Sequence, residues 1–220
     1  MKKSFCVIGL GKFGTSLALS LMERGCQVTV IDHDSDAVNS IADKVTNAVI
    51  GEPTNENVLR GAGVSDCDCA VVCTGNGAGT GSNDSVLITL ILKELSVRTV
   101  IARAMSDKHR TILLKVGADK VVFPEKDSGE KLASLISRNG LLDYFEFSDD
   151  YSIAEIAVPA SWIGRSIAEM NIRRKYKVTV IAVKHQNGRV DITPEPDYIF
   201  REGDTVSVVG KSENVDRICS

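Results

Sequence analysis

Residues 5–14 read FCVIGLGKFG, an apolar run followed by three closely spaced glycines, and the helix-like TSLALSLMERG comes directly after them. In a strand–loop–helix context this G-x-G-x-x-G spacing is typical of nucleotide binding. Gly9 allows a tight turn, Gly11 lets the backbone approach a phosphate, and Gly14 lets the helix pack closely on the strand. The pattern therefore predicts a phosphate site at the start of the first helix.

An acidic residue, Asp32, ends the next apolar run, QVTVID. A carboxylate at this position accepts hydrogen bonds from both ribose hydroxyls and disfavours a 2′-phosphate. The sequence therefore predicts a nucleotide with a free ribose and argues against NADP. The loop does not forbid ATP.

Apolar runs alternate with helical patterns over the first two thirds of the chain. The runs are nearly continuous in Val, Ile and Cys, which indicates strands buried on both faces of a parallel sheet. We expect an α/β fold with a doubly wound parallel Rossmann sheet. The predicted strands are 4–9, 27–32, 47–51, 69–74, 98–104 and 120–125. A Gly-rich loop is predicted over 75–84, after the fourth strand.

The pattern changes in the last third of the chain. We predict a nucleotide-binding domain over 1–127, a connecting crossover helix over 128–147 and a smaller α+β domain over 148–220. Within the last of these, alternating runs flank Asn187-Gly188, which is a hairpin signal.

Composition excludes several classes of function. The chain has 220 residues, with 26 Lys and Arg against 29 Asp and Glu, and no long basic block, so we predict no nucleic-acid partner. No apolar run approaches the roughly 20 residues that a membrane span needs, so we expect a cytoplasmic protein. The three histidines lie outside the nucleophile and metal motifs, and the last domain is small for a substrate domain, so no enzyme activity is expected.

Lys12 lies between the glycines, and two interpretations remain open for it. It is either a solvated lysine or a cation that reaches a terminal phosphate across a dimer interface.

Several longer motifs occur in order along nearly the whole chain, and through them the sequence resembles the RCK (regulator of K⁺ conductance) subunits of the KtrA/TrkA family. The resemblance implies a regulator whose homodimers assemble into an octameric ring. It would bind ATP or ADP and gate a separate membrane potassium channel or transporter subunit of the KtrB/TrkH kind. The protein would then lie at the inner face of the cell membrane. The motifs are VIGLGKFG, NAVIGEPTNE, AVVCTG, VIARA, GADKVVFPEKDSG, NIRRKYKVTVIAVK and EGDTVSVVG.

Site residues follow from the resemblance by matching positions. Those for the phosphates are Gly9, Gly11, Lys12, Phe13, Gly14 and, from a neighbouring strand, Arg103. Asp32 would hold the ribose, and Glu52, Thr54, Thr74 and Gly75 would flank the adenosine. Glu125 would bind Mg²⁺ or another divalent cation near the γ-phosphate, although without the resemblance it is equally well a solvated carboxylate. The family often has Arg where this chain has Lys12, which leaves discrimination between ATP and ADP open.

The last domain resembles one that binds cyclic di-AMP in some relatives. Arg173 would meet a phosphate and Pro196 a base, with Ile172 lining the cleft and His185 at its rim. The alternative is a dimer interface without a ligand.

Two other functions remain as alternatives. One is an NAD(H)-responsive regulator of the same architecture, which Asp32 cannot separate from an ATP sensor because both ligands present the same ribose. The other is an NAD-dependent oxidoreductase, which would need a proton donor near Thr74 and His109.

Overall fold

The structure is a computed structural model that describes residues 2–75, 81–148 and 150–219. The chain divides into two compact units, Met1–Pro124 and Glu125–Ser220.

The first unit contains six strands: β1 (Ser4–Ile8), β2 (Gln27–Asp32), β3 (Asn47–Ile50), β4 (Cys69–Val72), β5 (Val100–Arg103) and β6 (Lys120–Val122). They form a parallel sheet with the strand order β3-β2-β1-β4-β5-β6. Every strand pair in it is parallel, which confirms the predicted doubly wound α/β fold. The chain order reverses between β1 and β4, so the carboxyl ends of these two strands border the crevice where such sheets bind ligands.

Helices cover both faces of this sheet. Alternate strand residues enter separate cores: Ile8 and Val72 lie in one, and Val7 and Val71 in the other. Burial on both faces explains why the strands have no polar alternation in the sequence. The helices of this unit are α1 (Lys12–Glu23), α2 (Ser35–Asn39), α3 (Glu56–Gly61), α4 (Gly81–Glu94) and α5 (Asp107–Lys115).

The helix α4 begins at Gly81, so the predicted loop over 75–84 is too long at its carboxyl end. The part of that prediction that concerns residues 76–80 lies outside the described residues.

The second unit is an α+β arrangement, as predicted. Its strands are β7 (Leu141–Ser148), β8 (Tyr151–Ala157), β9 (Val178–Lys184), β10 (Val190–Ile192) and β11 (Thr205–Lys211). They form an antiparallel sheet with the order β10-β9-β11-β8-β7, and the core of the unit includes Trp162 and Phe200, both 1% exposed. The helices are α6 (Pro124–Ile136), α7 (Ile167–Met170), α8 (Ile172–Lys175) and α9 (Ser212–Cys219).

The connecting helix predicted over 128–147 was wrong in its second half. The helix α6 ends at Ile136, and β7 occupies Leu141–Ser148. Gly140 has a φ of +72°, a conformation that does not continue a helix. Leu141 and Tyr144 are then buried in the second core, so pairing with β8 overrides the helical pattern. The assignment of functions to 1–127 and 148–220 stays a prediction.

Candidate functional site

The glycine loop follows β1 and is packed tightly at two of its three glycines. Gly9 has a φ of +97°, and a Cβ there would lie 2.8 Å from the backbone nitrogen of Thr74. A Cβ on Gly14 would lie 1.9 Å from the carbonyl oxygen of Gly9. A Cβ on Gly11 would have no atom of the described residues within 4 Å. The loop is therefore held close to β4 while its middle stays open to a ligand.

The amino end of α1 lies at this open position. Gly11 is the N-cap, no side chain of the described residues caps the helix, and the first turn carries no acidic residue. Backbone N–H groups in the first turn of a helix have no intrahelical acceptor and favour an anion. Lys12 is the first residue of the helix and is exposed. The arrangement suits a phosphate, as the sequence predicts.

Asp32, at the end of β2, is hydrogen-bonded to the glycine loop. Its Oδ2 accepts the N–H of Leu10 at 2.5 Å, and its Oδ1 accepts the N–H of Asp34 at 2.9 Å. The imidazole Nδ1 of His33 lies 3.1 Å from Oδ1. Each carboxylate oxygen can accept more than one hydrogen bond, so both keep capacity for ribose hydroxyls. The backbone contact through Leu10 was not predicted, because no sequence signal marks a backbone donor.

Thr74 and Gly75 follow β4 and meet the end of β5. The Oγ1 of Thr74 is buried and has no hydrogen-bond partner among the described residues. A guanidinium nitrogen of Arg103, Nη1, lies 3.4 Å from where a Cβ on Gly75 would be. The same guanidinium lies 5.9 Å from the ring centroid of Phe13. The structure thus brings four of the predicted site residues together beside the glycine loop: Phe13, Thr74, Gly75 and Arg103.

Cys73 lies beneath this cluster. Burial raises the pKa of its thiol to about 12, although the charge of Arg103 acts in the opposite direction. A thiol with so high a pKa is a packing group rather than a nucleophile.

Glu52 and Thr54 follow β3, on the other side of Asp32. The N–H of Gly51 donates to the backbone oxygen of Asp32 at 2.9 Å, so the strand ends lie side by side. The hydroxyl of Thr54 donates to Glu52 Oε1 at 3.0 Å. These two residues therefore border the predicted ribose position, with the carboxylate of Glu52 exposed.

Glu125 lies in the first turn of α6 and belongs to the second compact unit. Its residue is exposed. Within residues 2–75, 81–148 and 150–219, no group of three or more His, Cys, Asp or Glu side chains could hold a metal ion. A cation at Glu125 would need further ligands from elsewhere, such as phosphate oxygens.

The four residues predicted for cyclic di-AMP have different surroundings. Ile172 is 3% exposed and packs in the core of the second unit, so its side chain does not line an open cleft in this structure. Arg173 and Pro196 are exposed, and the carbonyl of Pro196 accepts the N–H of Ala168 at 2.8 Å.

His185 borders a cavity of about 710 Å³. The other three predicted residues are not among the described residues that line it. The imidazole Nδ1 of His185 lies 3.2 Å from the hydroxyl of Tyr198, which in turn donates to Asp204. This polar cluster could not be predicted from the sequence, because its members come from separate loops and carry no motif.

His109 is not available as the proton donor that an oxidoreductase would need. It is 5% exposed, its Nδ1 accepts the N–H of Met105 at 3.3 Å, and its Nε2 lies 2.9 Å from the hydroxyl of Ser85. Burial lowers the pKa of the imidazole, which favours the neutral form.

Two family models match this chain, one within each of its two compact units. The model of the TrkA-N domain matches residues 5–124, and that of the TrkA-C domain matches residues 153–220. The chain belongs to the KtrA/TrkA family of RCK regulatory subunits. Ktr system potassium uptake protein C of Bacillus subtilis (strain 168) is 37% identical over 99% of this chain and 96% of its own length. Protein A of the same system and organism is 36% identical over 98% of this chain and 95% of its own length.

Solved structures support the same fold. A structure described as the GsuK channel bound to NAD matches with a TM-score of 0.67 and 20% identity. The match covers 100% of this RCK chain and 40% of the GsuK chain, so this chain spans less than half of that protein.

The family assignment also decides between a regulator and an enzyme. The Bacillus relatives are named as potassium uptake proteins, and the prediction of a regulator rather than an enzyme is confirmed by membership in this family. No helix in the described part of the chain combines the length and the apolar character that crossing a membrane requires.

Proposed function

We propose that this RCK protein is a cytosolic nucleotide sensor that binds ATP or ADP at the carboxyl edge of its parallel sheet and regulates potassium uptake. One observation carries the proposal. Gly11, Asp32, Thr74 and Arg103, from four separate segments, surround a helix amino terminus that no described side chain caps. The Bacillus relatives, named as potassium uptake proteins, support the biological setting.

Each group has a separate chemical role in this proposal. Backbone N–H groups at the start of α1 bind phosphate oxygens, and the carboxylate of Asp32 accepts the ribose hydroxyls. The hydroxyl of Thr74, buried without a partner among the described residues, donates to the nucleotide. Arg103 supplies positive charge near the phosphates, and its contact with Phe13 restricts where the guanidinium lies.

Regulation follows from differential binding and needs no turnover. A ligand shifts a conformational equilibrium only by the difference in its affinity for the two states. ATP and ADP differ by a terminal phosphate, and Lys12 and Arg103 are the cations that would sense it. We propose that homodimers form an octameric ring. The ring transmits the shift to a KtrB/TrkH-like potassium channel or transporter subunit at the inner face of the membrane.

Two further ligands belong to this proposal. Glu125 binds Mg²⁺ or a similar divalent cation together with the terminal phosphate. In the second unit, Arg173, His185 and Pro196 contribute to a cyclic di-AMP site, and Ile172 supports it from the core.

NAD or NADH is the second candidate ligand. The solved GsuK structure is described as bound to NAD, and NAD carries the same adenosine ribose that Asp32 would hold. NAD would need space for its second nucleoside beyond the pyrophosphate. ATP would instead need a positive charge at that position to bind its terminal phosphate.

Calorimetric titration of the ligand-free protein with ATP, ADP, NAD⁺ and NADH, with and without Mg²⁺, tests the proposal. We expect binding of ATP and ADP with different affinities, and loss of at least about tenfold in affinity with Asp32→Asn. The matched control is Asp36→Asn, which removes the same charge from an exposed position on α2. Stronger binding of NADH than of ATP would reassign the ligand, and no binding of any of the four would overturn the proposal.

A further inference from the structure

His109 is a buried titratable group to which the proposed function assigns no role. It lies in the first turn of α5, where the side chain of Ser106 caps the helix by accepting the His109 N–H at 3.1 Å. Both ring nitrogens have partners, Met105 N–H at 3.3 Å and Ser85 Oγ at 2.9 Å. The imidazole therefore joins the loop after β5 to helix α4.

The hydrogen bonds define the protonation state that this connection requires. Because Nδ1 accepts a backbone N–H, it must carry a lone pair, and the ring proton of the neutral form lies on Nε2. That nitrogen then donates to the hydroxyl of Ser85, a fully buried residue of α4. An imidazolium has no acceptor and would lose the bond to Met105.

The loop that His109 holds carries side chains of the nucleotide site. Met105 Sδ lies 3.1 Å, and Arg103 Nη1 3.4 Å, from where a Cβ on Gly75 would be. Between these residues, the N–H of Ala104 donates to the carbonyl of Val122 on β6 at 2.8 Å. The segment is thus fixed to β6 on one side and to His109 on the other, and it lies against Gly75.

We propose that His109 is a positioning residue for the nucleotide site: by accepting the Met105 N–H it holds the 103–105 segment against Gly75 and so directs Arg103 toward the phosphates. This inference rests on the proposed function, since it assigns Arg103 to the nucleotide.

A histidine that merely fills space would be replaceable by another ring of similar volume. The proposed role instead depends on one acceptor atom and on the neutral state. Burial lowers the pKa of His109, so the neutral form predominates near neutral pH. Three charged residues belong to the elements around His109: Lys108 lines the same surface groove as His109, Asp107 lies in the same helical turn, and Arg103 ends β5 before the loop.

The experiment compares two substitutions by titration with ADP. His109→Asn keeps an acceptor near the position of Nδ1 but cannot be protonated, whereas His109→Phe keeps the ring and removes both polar atoms. At pH 7.5 we expect His109→Asn to bind ADP within about twofold of the wild type and His109→Phe about tenfold more weakly. At pH 5.5 the wild type should lose more affinity than His109→Asn does. His33, which also contacts the site, and the phosphates of ADP are common to both proteins and cancel in this comparison.

Two further variants separate positioning from packing. Ser85→Ala removes the partner of Nε2 but leaves the bond to Met105, so its affinity should still fall at low pH. Leu113→Val disturbs the fully buried packing of the same helix without touching Met105, so its pH profile should match that of the wild type. His109→Phe binding ADP as the wild type does, or His109→Asn retaining the full loss at low pH, would overturn the inference.

Hydrogen exchange in the nucleotide-free protein tests the inference separately from the proposed function. The Met105 amide should exchange faster in His109→Phe than in His109→Asn, even if no nucleotide bound to any variant. Equal exchange of this amide in both variants would overturn the positioning role, while the proposed function would still stand on the titrations.

Discussion

At the scale of single residues, the three glycines of the motif have different surroundings in the fold, in line with the separate roles that the spacing predicts. Gly9 and Gly14 are required by close backbone contacts, with β4 and within the loop respectively. Around a Cβ placed on Gly11, the described part of the chain has no atom within 4 Å. The spacing in the sequence predicts all three and their separate roles, and the structure adds the atoms that crowd Gly9 and Gly14.

This difference gives a prediction for a matched pair of alanine substitutions. Gly14→Ala would place a methyl group 1.9 Å from the Gly9 oxygen, so α1 must shift. We expect the free energy of unfolding, measured in urea, to fall by about 1–3 kcal/mol. Gly11→Ala should change stability by less than roughly 1 kcal/mol, because Gly11 has a φ of −65°, which alanine also adopts, and no described atom lies within 4 Å of the added Cβ. It should nevertheless weaken ADP binding. Gly14→Ala with wild-type stability would contradict the packing described for this loop.

Protonation of His109 gives a second prediction at this scale. Burial lowers its pKa in the folded state from the ordinary value of 6.5, so the unfolded chain binds the proton more readily. Because of His109, the free energy of unfolding should therefore fall as the pH drops below 6.5. Above pH 6.5 this residue should no longer make the free energy of unfolding depend on pH. Urea unfolding from pH 5 to 8 should show a shallower fall for His109→Asn, and identical slopes for both proteins would contradict the buried neutral state.

At the scale of secondary-structure elements, a strand could be predicted where its own sequence already indicated that it is buried. Each strand of the parallel sheet is a short apolar run between turn signals, so its burial is visible locally. Strand β7 is different, because LLDYFEF follows a helical segment and only its pairing with β8 fixes its conformation. Gly140 was the available local signal for the end of the helix.

The turn before β11 gives a prediction at this scale. The hydroxyl of Tyr198 donates to Asp204 at 2.6 Å, and the same carboxylate oxygen accepts the Arg201 N–H at 2.9 Å. Burial, and then the bond to Asp204, raise the pKa of Tyr198 to about 12, so the donor persists at neutral pH. Tyr198→Phe leaves Asp204, only 4% exposed, with one bond fewer.

We expect Tyr198→Phe to lower the free energy of unfolding by about 1–3 kcal/mol, measured in urea by circular dichroism. The control is Tyr151→Phe, which removes the same hydroxyl from a side chain on β8 that is 44% exposed. Equal stability of the two variants would show that the bond to Asp204 contributes little to this unit.

At the scale of the whole molecule, the sequence was sufficient for the family and for the edge of the sheet that carries the candidate site. Gly9, Asp32, Thr74 and Arg103 were predicted by motif and resemblance, and the structure places them at the ends of their strands. The contacts that organise them were not predictable. Backbone donors such as Leu10 N–H, and a buried ring such as His109, acquire their roles only when distant segments fold together.

Hydrogen exchange of the wild-type protein, alone and with saturating ATP, ADP or NAD⁺, tests whether adenine nucleotides bind at the carboxyl edge of the parallel sheet. We expect slower exchange on adding ATP or ADP at residues 10–15, 32–34, 74–75 and 103–106, with different extents for the two nucleotides. Unchanged exchange in all four segments with saturating ATP and ADP would contradict nucleotide binding at this edge of the sheet.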